Sequence, residues 1–306
     1  MNSNRGVALV TVLLIVALAS TIIVAMASRQ QLDIRRTENN LYQSQATMYL
    51  MGIEDWVKQI LSEDRRNNDT DNLGETWATR VPTLPVEGGS LEGYIEDLQG
   101  RFNLNNLQQS GDAGKLANKR FRRLLKTLGL NEGLADSVQD WMDTNQEPLF
   151  PDGAEDNYYL SLSPAYRSSG QMMRSPSELL LVRGITHEDY EKLLPHVCTL
   201  PLVTPININT ATAEVLTTIA DDLSVFEMQN IVEQRTDTPF DSVEELLSDK
   251  LFAGTEIPKD QMSVSSSFFV LHSKAQIGHI HSQMNVVYER DSDGRVYTIM
   301  RSQGDL

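Results

Sequence analysis

Residues Val7 to Ala27, VALVTVLLIVALASTIIVAMA, run for 21 positions without a charge. As a helix rising about 1.5 Å per residue they span roughly 31 Å, the hydrocarbon thickness of a bilayer. The run is longer than the apolar core of about 7–15 residues in a secretory signal, and only Arg5 precedes it. A retained anchor is therefore favoured over a cleaved signal, although Ala25-Met26-Ala27 supplies an A-x-A site. From Ser28 to Ser62 there is no proline and one glycine, Gly52, and Leu50, Ile53, Trp56, Val57, Ile60 and Leu61 recur at helical spacing. One helix of about 55 residues is predicted, apolar in its first part and amphipathic in its second.

The whole chain has 306 residues, 40% apolar and 22% charged, which excludes disorder throughout. Its formal charge of −16 repels phosphate backbones and disfavours nucleic acid as a partner. A single cysteine, Cys198, excludes an intramolecular disulfide and any CxxC metal site.

Downstream of the helix, residues 63–89 are polar and rich in Asn, Asp, Pro and Gly, and read as a loop. Residues 91–97 and 101–104 read as short strands about a hairpin at Leu98-Gln99-Gly100. Strand character returns at 262–276, 279–290 and 295–301, the last two joined by the turn Asp291-Ser292-Asp293-Gly294. The predicted fold class is α+β: a long N-terminal helix packed on a small antiparallel sheet, interrupted by about 160 residues that pattern almost wholly as helix. Within the interruption, 115–128, 134–142, 177–182 and 187–194 pattern as helices, and Phe102-Asn103-Leu104-Asn105 is echoed by Ile206-Asn207-Ile208-Asn209.

Residues 206–250, with Asn207-Ile208-Asn209-Thr210-Ala211 and the later Arg235 and Pro239-Phe240, resemble the helix-hairpin-helix repeats of DNA-uptake proteins. In DNA-binding members a Gly-Ile-Gly hairpin offers backbone N–H groups to phosphate. Here the corresponding stretch, Ile219 to Ser224, lacks the glycines and carries Asp221 and Asp222. Residues 203–264 hold three basic and twelve acidic side chains, a net of −9, so the repeat is read as a fold kept for packing against protein. The basic run Lys115, Lys119, Arg120, Arg122, Arg123 and Lys126 reads as a solvated helix face or as a surface for an acidic protein partner.

Chemistry concentrates at residues 140–156, where six carboxylates and an amide crowd 17 positions: Asp140, Asp143, Asn145, Glu147, Asp152, Glu155 and Asp156. A hard, oxygen-ligated Ca²⁺ tolerates irregular loops and suits such crowding, so these seven are the candidate ligands; the alternative is an acidic solvated loop. It is no EF-hand, since counting from Asp143 the sixth position is Pro148 and the twelfth Ala154. GxSxG, HExxH and a phosphate loop are all absent. His279 and His281 lack an evident third ligand, and Cys198 sits in an apolar stretch, so no catalysis is expected.

Arg5-Gly6 directly before the apolar run resembles a type IV prepilin-like leader, which implies cleavage by a prepilin peptidase between Gly6 and Val7 and N-methylation of Val7. Most such proteins carry Glu at the fifth mature position, to neutralise a neighbouring subunit's amine; here it is Thr11, which suits a subunit with none above it. With the helical insertion and the acidic stretch from Trp141 to Asp156 that ends in Tyr158-Tyr159, the whole chain resembles the K-subunit family of minor pseudopilins in type II secretion systems. The resemblance implies a pilin-like fold whose insertion binds Ca²⁺, and assembly with the I and J minor pseudopilins at the tip of the major pseudopilin filament. It also implies a single pass of the inner membrane, with the C-terminal domain in the periplasm.

On this reading residues 1–6 are leader, 7–27 membrane helix, and 28–104 the first part of the pilin-like domain. Residues 105–202 and 203–262 are two helical subdomains, the second helix-hairpin-helix- or SAM-like, and 263–306 are the closing strands. Two alternatives stay open: a membrane-anchored DNA-uptake receptor, and a secreted hydrolase released at Ala27.

Overall fold

The structure, a computed structural model, describes residues 4–253 and 257–303; residues 1–3 of the expected leader lie outside it. Helix α1 (Asn4–Asn67) is continuous for 64 residues, about 96 Å at 1.5 Å per residue. Residues 6–41 are exposed throughout, and the apolar segment is long and hydrophobic enough to cross a bilayer. Below it, Ala46, Leu50, Ile53, Val57 and Leu61, spaced at three and four, form the buried face.

That face lies on a sheet. Strands β1 (Val81–Val86) and β2 (Gly89–Asp97) form a hairpin about Glu87-Gly88, whose glycine takes φ +82°. The region expected to be all loop thus holds a strand, hidden because Pro82 and Pro85 place it on an edge, where a missing N–H is tolerated. The expected hairpin at Leu98-Gln99-Gly100 does not form. Those residues make a 3-10 turn that leads the chain away, and β3 (Phe102–Asn103) pairs in parallel with β4 (Val197–Cys198).

The insertion carries α2 (Gly111–Thr127), α3 (Leu134–Met142), α4 (Asp156–Tyr159) and α5 (His187–Leu193) before β4. After it come β5 (Ile206–Asn207), α6 (Ala213–Leu216), α7 (Val225–Asp237), α8 (Val243–Leu247) and β6 (Met262–Ser263), which pairs in parallel with β5. The chain then returns through β7 (Phe268–Ile277), β8 (Ile280–Arg290) and β9 (Val296–Ser302). The sheet is antiparallel in the order β1-β2-β7-β8-β9. Asp97 at the exit lies opposite Phe269 at the return, so 170 residues are hung between the ends of two adjacent strands.

The echoed Asn motif is a structural repeat. In each copy the first asparagine accepts from the backbone N–H of the second, Asn103 from Asn105 at 3.1 Å and Asn207 from Asn209 at 2.9 Å. In each copy the second grips both backbone groups of one distant residue at 2.9 Å, Asn105 on Met173 and Asn209 on Phe240. The basic helix α2 finds its acidic partner inside the chain. Lys119 and Arg123 meet Asp221 at 2.5 and 2.6 Å, Arg122 meets Asp136 at 2.5 Å, and buried Arg120 donates to the Thr218 carbonyl and to Gln261. Asp222 adopts φ +62°, the left-handed turn for which a glycine would be the easier residue.

One guanidinium joins the two bodies. Arg290, 2% exposed, donates to both Asp71 oxygens at 2.5 and 2.6 Å, to Asp64 at 2.9 Å and to the Ser266 carbonyl at 2.9 Å, above the Phe269 ring. Asp71 and Asp97 then hold Ser266, and Asn207 of the second repeat donates to the Asp71 carbonyl and to Asp97. Burial raises the carboxyls of Asp64 and Asp97 despite these donors. Arg290→Met strands at least two buried carboxylates and should cost about 3–5 kcal/mol in urea unfolding of the full chain. Arg290→Lys, which keeps the charge but loses the bidentate geometry, should cost less; a loss under about 1 kcal/mol for Met would refute the hub.

A second buried ion pins β9 to α1. Glu54, 2% exposed, accepts from Arg301 at 2.7 and 2.8 Å, from Thr298 at 2.7 Å and from Lys58 at 2.9 Å. The Arg301 donors outweigh burial, and with Lys58 and Thr298 they hold the Glu54 carboxyl down at about 2, against an ordinary 4.5. The folded state therefore favours the charged form. Its stabilisation is complete above about pH 4.5 and fades as pH falls towards 2. The stability gap between the native chain and Glu54→Gln should be widest above pH 4.5 and close by about pH 2; a gap independent of pH would contradict this assignment.

Candidate metal centre

Helix α3 is amphipathic and presents Asp136 and Asp140 one turn apart on its buried side, with Asp143 at its C-terminal cap. The chain then loops out through Phe150 and returns through Gly153 to Glu155, the residue before α4. This return places oxygens of Asp140, Asp143 and Glu155 all within 4.8 Å of one another. Gly153 makes the approach possible, because a Cβ there would lie 2.1 Å from Asp140 Oδ2 and 2.5 Å from the Leu149 backbone. Trp141, next to Asp140 in the chain, packs with Tyr159 and Tyr166, with ring centroids 5.2–6.2 Å apart.

The cluster lacks internal compensation. Asp140 is fully buried; its Oδ2 accepts from Leu149 N at 3.0 Å, and its Oδ1 has no hydrogen-bond partner. Glu155 is 3% exposed and neither carboxylate oxygen has one. Orphaned buried carboxylate oxygens cost several kcal/mol each unless a proton or cation meets them. Burial, with like charges behind it, pushes the Asp140 carboxyl up to about 6 and the Glu155 carboxyl to about 7, and Asp143 is raised in the same sense. The donor set is all oxygen, with neither imidazole nor thiolate, and fits a hard divalent cation.

Of the seven expected ligands, the structure brings together Asp140, Asp143 and Glu155. Asn145 stands next to them, its Nδ2 donating to Asp143 at 2.8 Å and its Oδ1 accepting from Glu147 N at 2.7 Å. The remaining three are placed elsewhere. Glu147 is exposed, Asp152 packs against Gly133, and Asp156 accepts from the backbone and hydroxyl of Ser168 at 3.1 Å. Glu147 is carried away by the exposed stretch 144–151, whereas Asp152 and Asp156, on the return, turn to Gly133 and Ser168 instead. Asp136, one turn before Asp140, also has a buried and unpartnered Oδ2, but its Oδ1 is held by Arg122 and it lies outside the cluster.

A second carboxylate group, Asp64, Asp71 and Glu75, meets the same distance criterion but already holds the Arg290 guanidinium. Cys198 is buried, donates to the Leu98 carbonyl at 3.2 Å and has its thiol pushed up to about 12 by burial, which makes it inert. His279 bonds Asn39 on α1 at 2.8 Å, and lies just outside β8, so it does not share a strand face with His281.

Two family models described as type II secretion system protein K match this chain, over residues 100–202 and 206–265. Type II secretion system protein K of Pseudomonas aeruginosa is 35% identical over 314 residues, covering 99% of this chain and 94% of that protein. Its namesake in Aeromonas hydrophila is 31% identical, covering 98% and 97%, and that of Pectobacterium carotovorum 34%, covering 90% of both. Among solved structures, a chain of the GspK-GspI-GspJ complex from the type 2 secretion system of enterotoxigenic Escherichia coli is similar with a TM-score of 0.80. The match is 26% identical over 89% of this chain and 100% of that one. A long apolar-to-amphipathic helix on an antiparallel sheet, carrying a helical insertion whose two parts are each matched by a family model, places this chain in the type II secretion system protein K family of minor pseudopilins.

Proposed function

We propose that this chain assembles with the I and J minor pseudopilins as the tip of the periplasmic pseudopilus, where it caps and initiates the filament that exports folded proteins. The observation that carries this is the insertion: 170 residues hung from the ends of two adjacent strands cannot recur in every subunit of a tight helical stack. Thr11 supports it. Its hydroxyl turns back to the carbonyls of Val7 and Ala8 at 3.2 and 2.9 Å, so it offers no anion to an amine above. The similar solved structure, a GspK-GspI-GspJ complex, supports the choice of partners. The role is mechanical, not enzymatic. DNA uptake is disfavoured, because Asp221, at the hairpin where phosphate would bind, is paired with Lys119 and Arg123.

The helix anchors the precursor in the inner membrane with the folded body in the periplasm, and the prepilin peptidase cuts between Gly6 and Val7. Mass spectrometry of the protein from its native membrane should find an N-methylated terminus at Val7. A chain beginning at Ser28 would remove the pseudopilin assembly reading.

The occupant of the acidic centre is Ca²⁺, held by Asp140, Asp143 and Glu155 with loop oxygens or water completing the six to eight ligands it needs. It supplies no chemistry of reaction; it neutralises the orphaned oxygens and fixes the long loop to α3. Calcium at a hundredfold excess over its Kd should stabilise the full chain against chelator by about 2.7 kcal/mol, and Asp140→Asn or Glu155→Gln should abolish most of that gain. Tb³⁺ in the same site should show emission sensitised by Trp141. Identical melting curves in calcium and chelator, with no sensitised emission, would exclude the metal.

A further inference from the structure

The base of the insertion holds more negative charge than its one guanidinium can match. Asp64 lies in the last turn of α1, and Asp71 and Glu75 lie on the loop that follows. Oxygens of the three all fall within 4.8 Å of one another. A fourth acid, Asp97 at the end of β2, joins them through Ser266, whose backbone N–H donates to Asp71 and whose hydroxyl donates to Asp97, both at 2.7 Å. Among the described residues, Arg290 is the one cation paired with this group.

Its donors are not shared evenly. Asp71, fully buried, takes two Arg290 contacts and the Ser266 N–H, whereas Asp64 takes one Arg290 N–H at 2.9 Å. Glu75 is bonded to no cation; it accepts from Trp77 Nε1 at 2.6 Å and from Asn72 at 2.9 and 3.2 Å. Like charges gathered this closely in a water-poor site oppose full ionisation, and a proton relieves them without new space. Burial, followed by the charge of Glu75, raises the Asp64 carboxyl to about 7; burial also raises Glu75 and lifts Asp97 to about 6.

The same loop fastens three elements. The Asp71 N–H donates to the Val264 carbonyl at 2.8 Å, just beyond β6, and its own carbonyl accepts from Asn207 of the second repeat at 3.0 Å. Trp77, held by Glu75, is buried edge-on against Phe269 of β7 at 5.2 Å, the ring beneath Arg290. The charge state of the trio and the closure of the loop are therefore one event.

We propose that Asp64, Asp71 and Glu75 form a pH-sensitive latch: with one proton held the loop stays closed on Arg290, and with that proton lost Glu75 and Trp77 move away and the base of the insertion loosens. The latch does not depend on the place of the chain in the pseudopilus. Because these carboxyls are raised, the folded chain keeps a proton that the unfolded chain releases near pH 4. The stabilisation is full below about pH 4 and is lost as pH rises through about 7.

The test uses the full chain in detergent, with its three tryptophans labelled at the indole nitrogen for NMR. The Trp77 signal, identified by elimination with Trp56→Phe and Trp141→Phe, should shift between about pH 5.5 and 8.5 with a midpoint near 7. Glu75→Gln should abolish that shift. In urea, the native folding equilibrium constant should fall about tenfold over the same range relative to that of Glu75→Gln, a ratio in which titration of Asp140 and Glu155 cancels. Asp64→Asn should flatten the native dependence in the same way, whereas Asp71→Asn, which breaks the paired Arg290 contacts, should lower stability at every pH. A Trp77 signal that stays fixed across the range, or native and Glu75→Gln stability curves that run parallel, overturns the latch.

Discussion

The Arg290 guanidinium is the constraint on which the shape of this protein depends. It is the last residue of β8, yet it reaches the end of α1 through Asp64, the following loop through Asp71, and the start of the return strand through the Ser266 carbonyl. A desolvated guanidinium among carboxylates is costly to bury and more costly to leave half-paired, so its value lies in geometry more than in net stability. Through Asp71, Asp97 and Asn207 the same network fixes how the insertion leaves the sheet. Because the exit and return are adjacent, paired strand ends, the insertion has a narrow base, and a narrow base needs a rigid fastening. Polar groups buried in a fully satisfied network supply direction that an apolar seam would not.

The two carboxylate triads test one rule in opposite ways. Both gather three acids within ligand distance. Around Arg290 the counter-charge is covalently part of the chain, and the carboxylate oxygens of Asp71 are matched by donors. At Asp140 and Glu155 three buried oxygens are unmatched, and among the described residues none donates to them. The difference lies in satisfied valences, not in the number of acids, and it is why only the second is assigned a metal. A single glycine, Gly153, decides whether the loop can close on Asp140, so the site is as much a property of backbone clearance as of charge.

What could be read from the sequence follows the range of the forces involved. The α1 helix was legible because its signals, an uninterrupted apolar run and a three-four stripe from Leu50 to Leu61, are local. The C-terminal strands and the turn at Asp291 to Gly294 were legible for the same reason. Strand β1 was not, because its prolines speak against a strand until its place on the sheet edge is known. The 3-10 turn at Leu98 to Gly100 was mistaken for a hairpin because the partner of Phe102-Asn103 is Val197-Cys198, almost a hundred residues away. The acidic stretch stood out in the sequence as a place, but the exposure of Glu147 on the outward loop and the turning of Asp152 to Gly133 and of Asp156 to Ser168 carry no local signature.

The Asn echo shows how a weak pattern acquires meaning from geometry. Four letters recurring once say little. In the structure each copy begins with a two-residue parallel bridge, turns on its first asparagine and clamps a distant backbone with its second. Buried amides replace what a longer sheet would do, since each satisfies a backbone donor and acceptor that helices this short cannot. Two such units in series, joined through Asp221 and the basic face of α2, make a bulky body that is rigid at both its internal seam and its base. Rigidity at those two joints is what a terminal subunit requires if force delivered along α1 is to reach the far end of the insertion, and each joint depends on buried ions or amides that only one arrangement of the chain can satisfy.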